Sequence, residues 1–169
     1  MNKALLLVIL VCTPFGYAHT QARRDTTPES SFREFLPRWE KAQSAFINGD
    51  PTLWKQNTSQ RDDATILGAF GGYGEKGWDA VRARYDWASS QYKPGGATMN
   101  VEYLSIVVSG HLAFTAGIER QEGARVGDQN PMQRALRATQ IFRWEGGTWK
   151  LLHRHADPLI EKKAPTTVP

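Results

Sequence analysis

The sequence predicts an α+β domain in which helices come first and an antiparallel sheet follows. Three observations carry that prediction. Phe35, Trp39, Ala42 and Phe46 recur at spacings of four, three and four, the mark of one buried helix face. From Thr98 onwards, runs rich in Thr, Ile, Val, Tyr, Phe and Trp alternate with turn signals. Gly146-Gly147 separates two such runs and supplies the positive φ angles that a tight hairpin turn needs.

In chain order, the first helix carries Pro37 in its first turn and closes at Asn48-Gly49. Asp50 then caps a second, short helix with Pro51 at its first position. A strand is expected over 64–70, followed by the flexible turn Gly71-Gly72-Tyr73-Gly74. Trp78, Val81, Tyr85 and Ala88 mark the face of a third helix. After Lys93-Pro94-Gly95-Gly96, four strands are expected over 98–108, 111–120, 134–145 and 148–155. Gly110 and Gly146-Gly147 make tight turns between them, and 122–131 a longer loop.

The ends read differently. Lys3, the apolar run 4–12 and cleavage after Ala18 or Ala22 give residues 1–22 the three parts of a secretory signal peptide, so export to a periplasm or the medium is expected. The apolar run is shorter than the roughly 20 residues a spanning helix needs, so no stable membrane anchor is expected after cleavage. Residues 23–30 read as a flexible leader, 31–160 as the domain and 161–169 as a flexible tail. Cys12 is the only cysteine, and cleavage removes it, which excludes disulfides, thiolate catalysis and cysteine-based zinc sites from the mature chain. The formal charge is +4, but acids are interspersed with the bases and no run of Lys or Arg tracks a phosphate backbone, so no nucleic-acid partner is expected.

The candidate chemistry lies in the last quarter. Along a strand His153 and His155 share a face and Arg154 points the other way. On the partner strand Arg137, Thr139, Ile141 and Arg143 share one face, with Ala138, Gln140, Phe142 and Trp144 on the other. A single β-bulge would reverse which of these faces inward. His153 and His155 suit acid/base work near neutral pH, Arg137 suits bidentate capture of a carboxylate or enolate, and Glu119 of Gly117-Ile-Glu-Arg120 would orient its partners. The competing reading is a buried Glu-Arg-His network, satisfied because leaving one member unpaired costs about 1–3 kcal/mol.

His153-Arg-His155-Ala-Asp157 offers three potential metal ligands at alternate positions, but Pro158 follows and only His111 remains elsewhere after export, so no metal is expected. Asp62-Asp63 precedes a strand, where it serves as strand entry or as a carboxylate at a pocket edge. Trp39, Trp78 and Trp149 sit at core-facing positions as packing residues or as part of an aromatic cage. Tyr73, among glycines, is either a loop closing over a cavity mouth or an exposed turn tyrosine.

Phe46-Ile-Asn-Gly-Asp50, Asp62-Asp-Ala-Thr-Ile-Leu-Gly-Ala-Phe-Gly-Gly72, Gly77-Trp78, Arg137-Ala-Thr139, Gly147-Thr-Trp149 and His153-Arg-His155 resemble the SnoaL-like branch of the nuclear transport factor 2 (NTF2-like) superfamily, over about residues 31–160. The terminal segment is also similar to the association domain of calmodulin-dependent kinase II. The resemblance implies a cone: a strongly bent antiparallel sheet wrapped around the N-terminal helices, with an internal cavity and homodimerisation through the outer sheet. It also implies chemistry by cavity-lining side chains without a cofactor. Trp39, Asp63, Tyr73, Trp78, Tyr103 and Thr139 are then the expected substrate-binding residues, beside His153, His155, Arg137 and Glu119. The tyrosine and aspartate pattern of the ketosteroid isomerases does not map onto these positions, so steroid isomerisation is not expected. The expected function is binding of a small organic ligand in the cone, with acid/base proton transfer of isomerase or hydrolase type. The alternative is a non-catalytic ligand-binding or oligomerisation module.

Overall fold

The computed structural model describes residues 27–162. The expected signal peptide, the first half of the leader and the tail from residue 163 lie outside the described residues.

Helix α1 spans Pro28–Phe46, with the Thr27 hydroxyl accepting from the Ser30 N–H and proline at its start. It therefore begins inside the expected leader, and Pro37 lies in the helix interior rather than in its first turn. There it withholds one main-chain hydrogen bond, a cost that the packing of the apolar face outweighs. That face buries Phe32, Phe35, Trp39, Ala42 and Phe46. The turn after the helix closes at Asn48-Gly49, where Gly49 adopts φ +87°, a conformation that suits a residue without Cβ. Asp50 then accepts from the Thr52 N–H at 2.9 Å and starts α2, Thr52–Gln56. Helix α3, Trp78–Ser90, buries Val81, Tyr85 and Ala88.

One six-stranded sheet faces these helices, formed by β1 (Thr65–Leu67), β2 (Glu75–Lys76), β3 (Thr98–Ser109), β4 (Leu112–Gly123), β5 (Met132–Glu145) and β6 (Thr148–Pro158). Its order is β2-β1-β6-β5-β4-β3, with β1 parallel to β6 and every other pair antiparallel. The strand expected over 64–70 is thus only three residues long, because the glycine-rich segment after it leaves the sheet and returns as β2. The sheet bends around the helices, and two bulges contribute to the bend. On β3 the pairing shifts between Tyr103 and Ser105, leaving Leu104 without a partner. Gly117 sits opposite this bulge, where a Cβ would come within 2.5 Å of the Glu102 carbonyl oxygen. On β6 the pairing passes from Phe142 with Leu151 to Ile141 with His153, leaving Leu152 unpaired.

The core is aromatic. Phe32, Phe35 and Trp39 of α1 pack on Phe142 of β5 with ring centroids 5.1 to 5.6 Å apart, and Trp54 packs between Trp39 and Phe46. Such tilted and edge-on pairs contribute about 0.5–1.5 kcal/mol each beyond the area they bury.

Candidate functional site

The bulge at Leu152 decides which side chains reach the interior. Before it, Trp149 and Leu151 are buried; after it, Arg154 and Ala156 are. The parity is reversed within one strand, so Arg154 enters the core while His153 and His155 lie on the outer face. On β4 the inward set is Ala113, Thr115, Gly117 and Glu119, and on β5 it is Leu136, Ala138, Gln140 and Phe142. Glu119 and Arg154 thus meet inside the cone.

Their contact is a two-pronged ion pair, Arg154 Nη1 to Glu119 Oε1 and Nη2 to Oε2, each 2.6 Å. Glu119 Oε1 also accepts from Gln43 Nε2 of α1 at 2.8 Å and from Gln140 Nε2 at 3.1 Å. Gln140 Oε1 in turn accepts from the Trp39 indole N–H at 2.9 Å. The guanidinium carbon of Arg154 lies 5.3 Å from the centre of the Trp54 ring. Burial disfavours the charge of Arg154, but the Glu119 carboxylate and its hydrogen bonds more than offset this and hold the guanidinium above its ordinary pKa.

Beside this pair is an internal cavity of about 50 Å³ whose lining includes Trp54, Ile66, Phe70, Tyr85, Met99 and Leu136, with Glu119 and Arg154 on its wall. Burial raises the pKa of the Tyr85 hydroxyl. Neither the Tyr85 hydroxyl nor the Trp54 indole nitrogen makes a hydrogen bond to the protein. Phe70, from the segment after β1, closes one side. Arg125 lies 4.5 Å from the Phe70 ring centre and 5.3 Å from that of Tyr92, and Arg84 donates to the Gly71 carbonyl at 2.5 Å.

The residues expected from sequence separate into three groups: interior, outer face, and the periphery that holds Asp63, Trp78 and Tyr73. Glu119 and Trp39 belong to the interior network just described. Tyr103 also faces inward, with its hydroxyl unpartnered and its pKa raised by burial and then by the Glu40 charge. His153, His155, Arg137 and Thr139 are on the opposite face of the sheet. There the Thr65 hydroxyl and His153 Nδ1 are 2.8 Å apart, His155 Nε2 lies 3.3 Å from Asp157 Oδ2, and Arg137 lies 3.8 Å from the same oxygen. The expected meeting of these three with Glu119 is corrected: the extra residue Leu152 turns the two histidines outward on β6, and unbroken alternation on β5 puts Arg137 on the face away from Ala138, Gln140 and Phe142. Asp63 is pinned by Arg143 at 2.6 and 3.0 Å, and this hydrogen bonding lowers its pKa. Trp78 is half-buried at the start of α3, away from the cavity wall. Tyr73 is fully exposed at the tip of its loop, and the cavity is instead covered by Gly68, Ala69 and Phe70. Among the described residues no group of three His, Cys, Asp or Glu side chains could hold a metal ion, and no helix is long and apolar enough to cross a membrane.

Three members of the interior network were not anticipated: Arg154, Gln140 and Gln43. The two glutamines carried a signal, since each interrupts an apolar set, Gln140 beside Phe142 and Gln43 beside Ala42 and Phe46. Arg154 carried none, because its facing depends on the bulge.

The family model for the SnoaL-like domain matches residues 35–161. No curated protein sequence matches the chain. Among solved structures, an NTF2-like superfamily protein from Salmonella enterica serovar Typhimurium is similar at 18% identity and TM-score 0.63, over 78% of this chain and 91% of that one. An NTF2-like protein from Pseudomonas putida KT2440 is similar at 22% identity and TM-score 0.58, over 83% and 95%. The association domain of CaMKII from C. elegans is similar at 11% identity and TM-score 0.58, over 77% and 97%. The match over most of its length means that the chain belongs to the SnoaL-like domain family, and its bent sheet wrapped around helices is the fold of the NTF2-like proteins it resembles.

Proposed function

We propose that this chain is an exported ligand-binding SnoaL-like domain that holds a small oxygen-bearing molecule in its cone cavity, with Arg154 as the anchor. The observation that carries this reading is Arg154 itself. A guanidinium has five N–H donors, and Glu119 takes two of them on the wall of a cavity otherwise lined mostly by apolar and aromatic groups. A carboxylate or carbonyl oxygen suits the remaining donors. The size limits the ligand further: a cavity of about 50 Å³ holds only a few heavy atoms, since a single water molecule already occupies about 10–15 Å³. Short-chain carboxylates fit that description.

Binding without turnover is favoured over proton transfer. Both oxygens of Glu119 already accept hydrogen bonds, three of them on Oε1, so the carboxylate is held as an acceptor rather than poised as a base. The imidazoles lie across the sheet from it. Calorimetric titration with acetate, propionate and butyrate tests the reading. Saturable binding is expected in the native protein and its loss in the Arg154→Met/Glu119→Gln double variant, which removes both buried charges together.

A homodimer through the outer face is the assembly this reading includes. Val107, Phe114 and Ile141 form an apolar row there by register, with Leu104, Leu112 and Leu67 nearby. The Arg137–Asp157, Arg120–Glu102 and Arg143–Asp63 pairs surround it with both signs of charge, as suits a self-complementary contact with an apolar centre and polar rim.

A further inference from the structure

We infer that assembly through the outer sheet face is controlled by pH, with His153 as the group that must be neutral for two copies to pair. The inference rests on the homodimer reading above and goes beyond it.

The register places His153 within the apolar row. Thr65 of β1 pairs with His153, His153 with Ile141, Ile141 with Phe114, and Phe114 with Val107. His155 occupies the next row on the same face, between Leu67 and Thr139. A second copy laid on this face would remove the imidazole of His153 from water. A neutral ring tolerates that, whereas an imidazolium needs a counter-charge.

The groups around His153 do not supply one. From β1 it meets only the Thr65 hydroxyl, and Lys76 of β2 stands beyond, paired with Thr65. From β5 it meets Ile141, with Arg143 and Arg137 farther along the same face. From β6 it shares the face with His155, Asp157 and Lys150. Of the carboxylates on this face, Asp157 is engaged by His155 and Arg137, Asp63 and Glu145 by Arg143, and Glu102 by Arg120, while Glu122 stands at the far end of β4, level with Gln133. His155 differs, because it already has the Asp157 carboxylate 3.3 Å away. In the single chain, partial burial and then the neighbouring His155 already lower the pKa of His153. A second copy adds to the same effect.

The sign follows from linkage. A proton that binds the separated chains more tightly than the dimer weakens association as pH falls, and each dimer carries two such sites. Analytical ultracentrifugation of the mature protein at about pH 8 and about pH 5 tests this; the dimer dissociation constant is expected to rise at least about tenfold at the lower value. His153→Gln, which cannot titrate, is expected to form a dimer that persists at both. Leu104→Glu, at an exposed position, is expected to be monomeric throughout. A native dimer equally tight at both pH values would overturn the pH inference and leave the interface standing. A native protein monomeric at both would overturn the interface and the inference together. Dissociation of the His153→Gln dimer at low pH would show that another group is the sensor and overturn the assignment.

Discussion

Glu119 and Arg154 clasp each other across an intervening strand: they belong to β4 and β6, and β5 runs between them. The pair ties β4 to β6, Gln140 adds β5, and Gln43 extends the link to α1. Both partners are almost completely buried. Removing one should be far worse than removing both. Arg154→Met or Glu119→Gln alone is expected to cost about 3–5 kcal/mol, because an uncompensated or poorly paired polar group stays in the core, whereas the double variant should recover most of that loss. Urea denaturation of the four proteins checks this, and additive losses would contradict it.

Tyr85 makes the opposite prediction. Its hydroxyl is buried without a hydrogen-bond partner, so Tyr85→Phe removes a group whose desolvation is uncompensated. The variant should be as stable as the native protein or more stable by up to about 1 kcal/mol, measured by the same denaturation. A loss of 2 kcal/mol or so would mean that the hydroxyl has a partner, such as buried water.

Trp39 donates its indole N–H to Gln140, and Gln140 donates to Glu119. Trp39→Phe keeps the aromatic packing but takes away that donor, leaving Gln140 Oε1 only its long contact of 3.4 Å with Thr115. A loss of about 1–3 kcal/mol is expected, detectable as a lower urea midpoint with an unchanged slope.

Stability should respond to pH through two outer groups. Asp63, hydrogen-bonded by Arg143, has a lowered pKa, so its contribution is present above the unfolded value of 3.8 and is lost as pH falls through the folded one. His153 has a lowered pKa as well, so the folded state has its full advantage above the ordinary 6.5 and loses it as pH falls from there through the folded value. Thermal scans below the concentration of assembly should show the loss that begins near 6.5 reduced in His153→Gln, and the loss below 3.8 reduced in Asp63→Asn. Unchanged pH profiles in both variants would contradict these assignments.

The helices and long strands were legible because their burial follows simple periods: Phe35, Trp39, Ala42 and Phe46 at helical spacing, and the alternation of β4 and β5 at strand spacing. The inward position of Glu119 was legible for the same reason, since β4 runs without a bulge through that position. The start of α1 was less clear, because Thr27 and Pro28 sit in a polar stretch and their capping role depends on local geometry. His153, Arg154 and His155 were the hard case. Nothing in Lys150-Leu-Leu-His-Arg-His155 marks Leu152 as an extra residue, yet that one residue exchanges the inward and outward sets downstream. Two adjacent leucines permit either phase, and the wrap of the sheet around α1 and α3 selects the one observed.

The central claim is that the cone cavity takes a small oxygen-bearing ligand on Arg154. A crystal structure of the protein with butyrate tests it most directly. The account predicts a carboxylate within hydrogen-bond distance of the Arg154 guanidinium, beside Trp54 and Tyr85. Butyrate bound instead on the outer face beside Arg137, or a cavity holding only water at saturating butyrate, would contradict it.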